Sequence, residues 1–503
     1  MKRSIAAAMA CLAALLPPAL SGARAQSVVT YHNSPDRSGA YTVPGLNVAA
    51  AAKLHLDSRF NADVSGNIYA QPLYWLPPDS KTGILIVATA SNLVYGLNAN
   101  TGGVIWKTQL IRSAPLSALG CGNIDPEGIT GTPVIDPATG TLYLDALQLA
   151  ANNKARQRIY AISAATGQVL AHWPLDVDNL MAARKKLHPS NPTFDSTIEG
   201  DRAALLFAGG KLYVSYAGRY GDCGDYRGTV IEFDPTKRTI TGSWQTRATG
   251  GGIWGRGGVA SDGASLYATT GNTIGTTAGK WQDGEAVVRL RAGLAHSANR
   301  KDFFTPLDWH DLDDQDADLG GTAAIPFTVP SGAGTVARVL ALGKDGHAYL
   351  ADAANLGGVS AGLADLQVSN TVILTDAAVY HTKADTRVAF TNFNGSLAKC
   401  SGNNLTMLRV TAAANPLAVL WCSGISGGGA PILTTTNGTL NPTMWVLGAE
   451  GDNQLHGFNA NNGKTVFDGG GITLNGLHRF QSLIAANHHL YVAGDNAVYA
   501  FTF

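Results

Sequence analysis

The sequence predicts an all-β fold: an eight-bladed β-propeller, counted to within one blade, of four-stranded antiparallel blades. Three observations carry this. Short apolar strands alternate with turns of Gly, Asn, Asp and Thr, and glycine reaches 59 of 503 residues. Long apolar helical periods are scarce. A strand–turn–strand unit returns eight times at a spacing of about 45 to 75 residues, which suits propeller blades with insertions.

Taken in order, the chain opens MKRSIAAAMACLAALLPPALSGARAQS. A basic start, a short apolar run from Ile5 to Leu20 and Ala23-Arg24-Ala25 predict a signal peptide over 1–25. Residues 26–503 are then expected to form a single propeller domain, exported to the periplasm or secreted. No later stretch offers the roughly 18 continuous apolar residues a spanning helix needs, so no membrane span is expected after cleavage. TYHNSPDRSGAY, Thr30 to Tyr41, reads as a surface loop. AKLHLDSRF, Ala52 to Phe60, precedes the first full unit and is free to lend a strand elsewhere.

The first unit, VATASNLVYGLNANTGGVIW, begins at Val87, and degraded copies begin at Leu142, Leu212, Leu266, Val339, Val388, Trp445 and Tyr491. A sheet this small cannot bury its own faces, so the sheets must stack around an axis. The last unit stops after two strands. The 52–60 segment is expected to complete it, closing the ring with strands from both termini and removing exposed edges. Trp106 and Trp244 are expected to dock one blade onto the next.

Charged residues make up 14% of the chain and the net charge is zero, so neither a basic stripe for nucleic acid nor a polybasic membrane patch is present. Four cysteines remain beyond Cys11, an even number that suits disulfides in an exported chain. Cys400 and Cys422, on neighbouring predicted strands, are the expected pair. No H-x-H or HExxH spacing supports zinc or copper chemistry.

The unit VYGLNANTGGVIW resembles the repeats of quinoprotein-like propellers, the superfamily of the pyrroloquinoline quinone (PQQ) alcohol dehydrogenases. The resemblance sharpens between Asp222 and Lys344. Trp254 in GGGIWG resembles the tryptophan under the quinone ring, and Asn272 in TTGN the asparagine that ligates calcium. In GDCGDYRG the calcium-binding carboxylate falls on Asp222, with Asp225 the other candidate. TPLDWHDLDDQDADLGG resembles the stretch with the catalytic aspartate, placing the base at Asp316 with Asp318 two residues on; Asp308, Asp311, Asp313 and Asp314 compete for the role. Lys344 in LGKDGHAY falls where a Lys or Arg contacts the quinone oxygens.

On this resemblance the chain is a PQQ- and calcium-dependent dehydrogenase that oxidises an alcohol or sugar and passes electrons to an external acceptor. The chemistry suits the residues. Calcium takes hard oxygens, an aspartate beside a cation stays ionised as a base, and Trp254 offers a flat face. Gly250 to Gly252 would let a ligand approach the backbone. Two departures favour a rival, a non-catalytic propeller that binds a protein or polysaccharide in the cell envelope. The family's adjacent Cys-Cys pair is missing, since Cys121 stands alone in GCGNIDPEG. An aspartate, one methylene shorter, replaces the expected glutamate.

Overall fold

The computed structural model describes residues 26–503 apart from 189–192, 333, 394–396, 398–399 and 401. The expected signal peptide, 1–25, lies outside the described residues.

Eight antiparallel sheets follow one another along the chain. Blade one comprises Leu73–Trp75, Ile84–Ala88, Leu93–Asn98 and Val104–Gln109, and its innermost strand comes first. Blades two to seven repeat this order, ending with Ile432–Thr435, Thr443–Leu447, Leu455–Asn459 and Thr465–Asp468. The eighth sheet draws three strands from the C-terminal side, Ile484–Ala486, His489–Gly494 and Ala497–Thr502. Its fourth is His55–Leu56, paired antiparallel with Phe501 and Thr502. The ring is therefore closed by strands from both ends of the described chain, as the truncated last repeat predicts. His489 Nε2 lies 3.0 Å from Asp57 Oδ2 across this closure.

The hydrophobic core sits between blades. Trp106 packs with Leu144 and Ile162 of blade two, and Trp244 with Leu266 and Val288 of blade four. The repeat's turn explains the docking. Trp106 Nε1 donates to Ala164 O at 3.1 Å, and Trp421 Nε1 to Ala460 O at 3.0 Å, each carbonyl opening the A-x-[TN]-G turn of the next blade. Blade eight has no tryptophan there, and the Tyr491 hydroxyl donates to Ala99 O of blade one instead, at 2.7 Å.

The Thr30–Tyr41 segment corrects the sequence reading. It is not a surface loop: Tyr31, His32 and Arg37 are fully or almost fully buried. Arg37 Nη1 donates to Thr30 Oγ1 (2.8 Å), and Nη2 donates to Val259 O (2.9 Å) and Leu205 O (3.3 Å). Ala40–Thr42 adds a parallel strand to the inner edge of blade seven. One peptide thus ties together the inner ends of several blades, and its polar residues are polar because they satisfy backbone carbonyls there.

Cys121 is bonded to Cys223, and Cys400 to Cys422 as expected. Cys422 lies on a strand, whereas Cys400 lies in the link before Leu405–Val410. No helix among the described residues is long and apolar enough to cross a membrane.

Candidate functional site

In an antiparallel blade counted from its inner strand, the loop between the second and third strands opens on the same face as the link to the next blade. Every residue singled out from the sequence sits in one of these two connection types. Asp222 and Lys344 lie in the second-to-third loops of blades three and five, and Asn272 just after the second strand of blade four. Trp254 lies in the link from blade three to four, and Asp316 and Asp318 in the link from four to five. The topology therefore brings all six to one face, where they line a single cavity of about 860 Å³. That volume is in the range of small-molecule sites.

The loop carrying Trp254 is shaped by glycine. Gly250 and Gly251 adopt positive φ, and Gly250–Thr249 pairs with Thr273–Ile274. A Cβ on Gly250 would lie 2.6 Å from Asn272 O. The glycines chiefly let the Trp254 loop press against the Asn272 strand; of the three, only Gly252 lines the cavity. A Cβ on Gly271 would lie 2.4 Å from Asp318 Oδ1 and 3.3 Å from Trp254 Nε1. Glycine at 271 is what allows carboxylate and indole to come together.

The acidic stretch is ordered differently from a solvated loop. Trp309–Gln315 is a short helix, and Asp316 ends it in the left-handed region. Asp313 is buried and structural, accepting from Thr273 N, Thr273 Oγ1 and Thr276 Oγ1 at 2.7 to 2.8 Å. Asp314 is exposed beside His310. Asp318 is buried, and its Oδ1 accepts from the Asn272 backbone N–H at 2.7 Å. The Lys344 ammonium bonds both Asp318 Oδ2 and Asp316 Oδ1, the latter at 2.9 Å, and stands 5.2 Å from the centre of a Trp254 ring. Asp316 itself is mostly exposed.

Burial pushes the Asp318 carboxyl up to about 6, against the pull of Lys344 in the opposite direction. Burial also works against the charge on Lys344, but Asp318 and Asp316 outweigh it and hold the ammonium above its usual range. Asp222 is exposed at the rim, and its Oδ1 accepts from the Tyr226 hydroxyl at 2.7 Å. The disulfide between Cys121 and Cys223 clamps this rim to the link from blade one to two. Phe480, from the link between blades seven and eight, meets Trp254 edge-on, with centroids 6.5 Å apart.

Sequence reading missed Phe480, Tyr69, Arg202, Arg219 and Arg256, which share the cavity. None belongs to a spaced motif. The usable signal was position: each lies at the end of a second strand or in a blade-to-blade link, on the same face as Trp254.

A family model described as outer membrane protein assembly factor BamB matches residues 59–219. No curated protein matches the sequence. Among solved structures, the quinohaemoprotein alcohol dehydrogenase of Comamonas testosteroni superposes with a TM-score of 0.63 at 14% identity, covering 94% of this chain and 80% of that one. The fold is that of a quinoprotein-like β-propeller. A europium-containing methanol dehydrogenase gives 0.59 at 13% identity, over 88% and 84% of the two chains. BamB from Moraxella catarrhalis gives 0.52 at 14%, over 90% of this chain and 100% of that one. This quinoprotein-like fold is thus shared with dehydrogenases and with BamB alike.

The two cofactors that the resemblance implies fare differently against the donors present. A planar quinone fits: the Trp254 ring and the Lys344 ammonium give it a floor and a cationic partner. Calcium does not fit. Both Asp318 oxygens are engaged by Asn272 N–H and Lys344, and Tyr226 holds an oxygen of Asp222. Among the described residues no three His, Cys, Asp or Glu side chains are gathered as metal ligands. The ammonium already stands between the two aspartates where a cation would bind.

Proposed function

We propose that this chain is an exported oxidoreductase that oxidises an alcohol or sugar hydroxyl with a quinone held on Trp254. The observation that carries the reading is the convergence of Trp254, Asn272, Asp318 and Lys344, from four separate connections, around one cavity. A bound quinone would supply the two-electron acceptor.

Asp318 is the residue we assign as base, in preference to the exposed Asp316. It is ionised at neutral pH yet more basic than an ordinary aspartate, and the Asn272 N–H fixes its orientation. It takes the hydroxyl proton of the substrate. Lys344 stays protonated, and its charge beside the Trp254 ring stabilises negative charge that develops there. Phe480 and Trp254 provide apolar walls that exclude water. No step is assigned to calcium. Electrons leave to a separate acceptor, and residues 1–25 act as the export signal ahead of one propeller domain.

A dye-linked dehydrogenase assay with PQQ and a panel of alcohols and sugars tests this. Turnover in the wild type that is lost in Asp318→Asn supports the reading; PQQ-independent silence across the panel counts against it.

The match of residues 59–219 to the BamB family model favours a second reading, a non-catalytic envelope propeller that binds protein. Under it the same cavity binds no quinone.

A further inference from the structure

Away from the Trp254 ring, the cavity wall is cationic. Arg219 is 1% exposed and comes from the end of the second strand of blade three. It pairs with the buried Glu127 through Nη2 at 3.1 Å and Nε at 3.2 Å. Its Nη1 has no hydrogen-bond partner among the described residues. A buried guanidinium N–H with nothing to donate to is costly unless a ligand or water accepts from it.

Two further arginines stand beside it. Arg202, from the link between blades two and three, donates among the described residues only to Asn123 Oδ1, at 3.3 Å. Arg256, two residues past Trp254, donates to Thr130 O at 2.9 Å and Arg202 O at 3.2 Å. Neither has a carboxylate ion pair among the described residues. Burial lowers both, Arg256 to about 10, and the two guanidiniums also repel each other. The nearby Asp201 does not neutralise them, since its own burial, reinforced by Asp145, holds its carboxyl well above the usual range.

This cluster is set apart from the indole. Arg256 lies 5.4 Å from the centre of the Phe480 ring and 5.9 Å from that of Tyr69, while Phe480 meets Trp254 edge-on. Phe480 is thus a neighbour of both Trp254 and Arg256. The wall pairs flat rings with guanidiniums, a combination that suits an oxyanion carried on a planar or apolar body.

We infer that Arg202, Arg219 and Arg256 form an oxyanion subsite, separate from the Trp254 floor, that selects a small carboxylate-bearing ligand. The planar guanidiniums receive the carboxylate, Arg219 Nη1 gains the acceptor it lacks, and Tyr69 and Phe480 flank the ligand body. The ligand's other end then faces Asp318 and Lys344, so a hydroxy acid is favoured over a neutral alcohol. The inference does not need a quinone, because the arginines keep their places whatever lies on Trp254.

The test is calorimetric titration of the full chain with 4-(hydroxymethyl)benzoate and with benzyl alcohol, its neutral counterpart. The carboxylate is expected to bind at least about tenfold more tightly, with affinity that weakens as NaCl rises. Arg202→Gln and Arg256→Gln should each lose about tenfold for the carboxylate and leave benzyl alcohol unchanged. Arg202→Lys, which keeps the charge, should recover part of the loss. Should either glutamine variant melt early, the wild-type comparison of the two probes and its salt dependence decide alone. Equal affinities, no carboxylate binding at millimolar concentration, or no loss in folded variants would overturn the inference. Repeating the titration with PQQ present distinguishes the sources: simultaneous binding supports a separate subsite, and competitive displacement overturns the separation. Binding of the probe without any binding of PQQ would leave this subsite standing and remove the quinone reading instead.

Discussion

The Lys344 ammonium bridges Asp318 and Asp316 above the Trp254 ring, joining blade five to the link that precedes it. Asp318 is otherwise a carboxylate in a nearly dry site, so Lys344 is its counterion and its removal strands a buried charge. Lys344→Met should cost about 3 kcal/mol of stability in denaturant unfolding, in the range for breaking a buried pair. It should also lower turnover by more than about 100-fold, the usual cost of losing a donor to developing charge.

The pH profile follows from the same pair. Burial raises the Asp318 carboxyl to about 6. A raised carboxyl is protonated on the acid side of that value and then accepts no proton. The rate at low substrate should be level above about pH 7 and fall about tenfold per pH unit below about 6. Asp318→Asn should abolish activity at every pH, whereas Asp316→Asn should keep most of it. A profile that breaks near an ordinary aspartate value, or an inactive Asp316→Asn, would move the base to Asp316.

Calcium should be dispensable. The carboxylates a calcium ion would need are paired within the protein. Chelation with EDTA should therefore leave the melting temperature unchanged, and added calcium should not raise it. A calcium-dependent rise in melting temperature would contradict the fit argument, because a ligand that binds only the folded state must stabilise it.

The buried Thr30–Tyr41 segment should matter to stability as much as any blade. Arg37 donates to the carbonyls of Leu205 and Val259, which lie far apart in sequence. Arg37→Leu leaves these acceptors and Thr30 without their donor and should cost about 2 to 4 kcal/mol in chemical denaturation. A loss below about 0.5 kcal/mol, the surface range, would mean the segment is dispensable.

Much of this was legible in the sequence because it is periodic. The tryptophan after the T-G turn of the first unit marks blade docking, since the Trp106 indole N–H finds the Ala164 carbonyl of the next blade. The truncated last repeat signalled closure by residues 52–60. The gathering of Asp222, Trp254, Asn272, Asp316, Asp318 and Lys344 was legible because a motif fixes each in a same-face connection; their chemical roles rest on experiment. The buried Arg37 was not legible. A polar segment satisfied by distant carbonyls has the same composition as one satisfied by water. Arg202, Arg219 and Arg256 were hidden for a related reason: they meet only once blade three has folded, across more than 50 residues of chain between Arg202 and Arg256.

The oxidation proposed for this chain depends on Trp254 being the floor of a quinone site. Calorimetric titration of PQQ into the purified chain, in EDTA, against a Trp254→Ala variant of unchanged melting temperature, tests it most directly. Saturable binding to the wild type that is lost in Trp254→Ala is the predicted result. No binding to the wild type at high micromolar PQQ, or equal binding to both proteins, would contradict it.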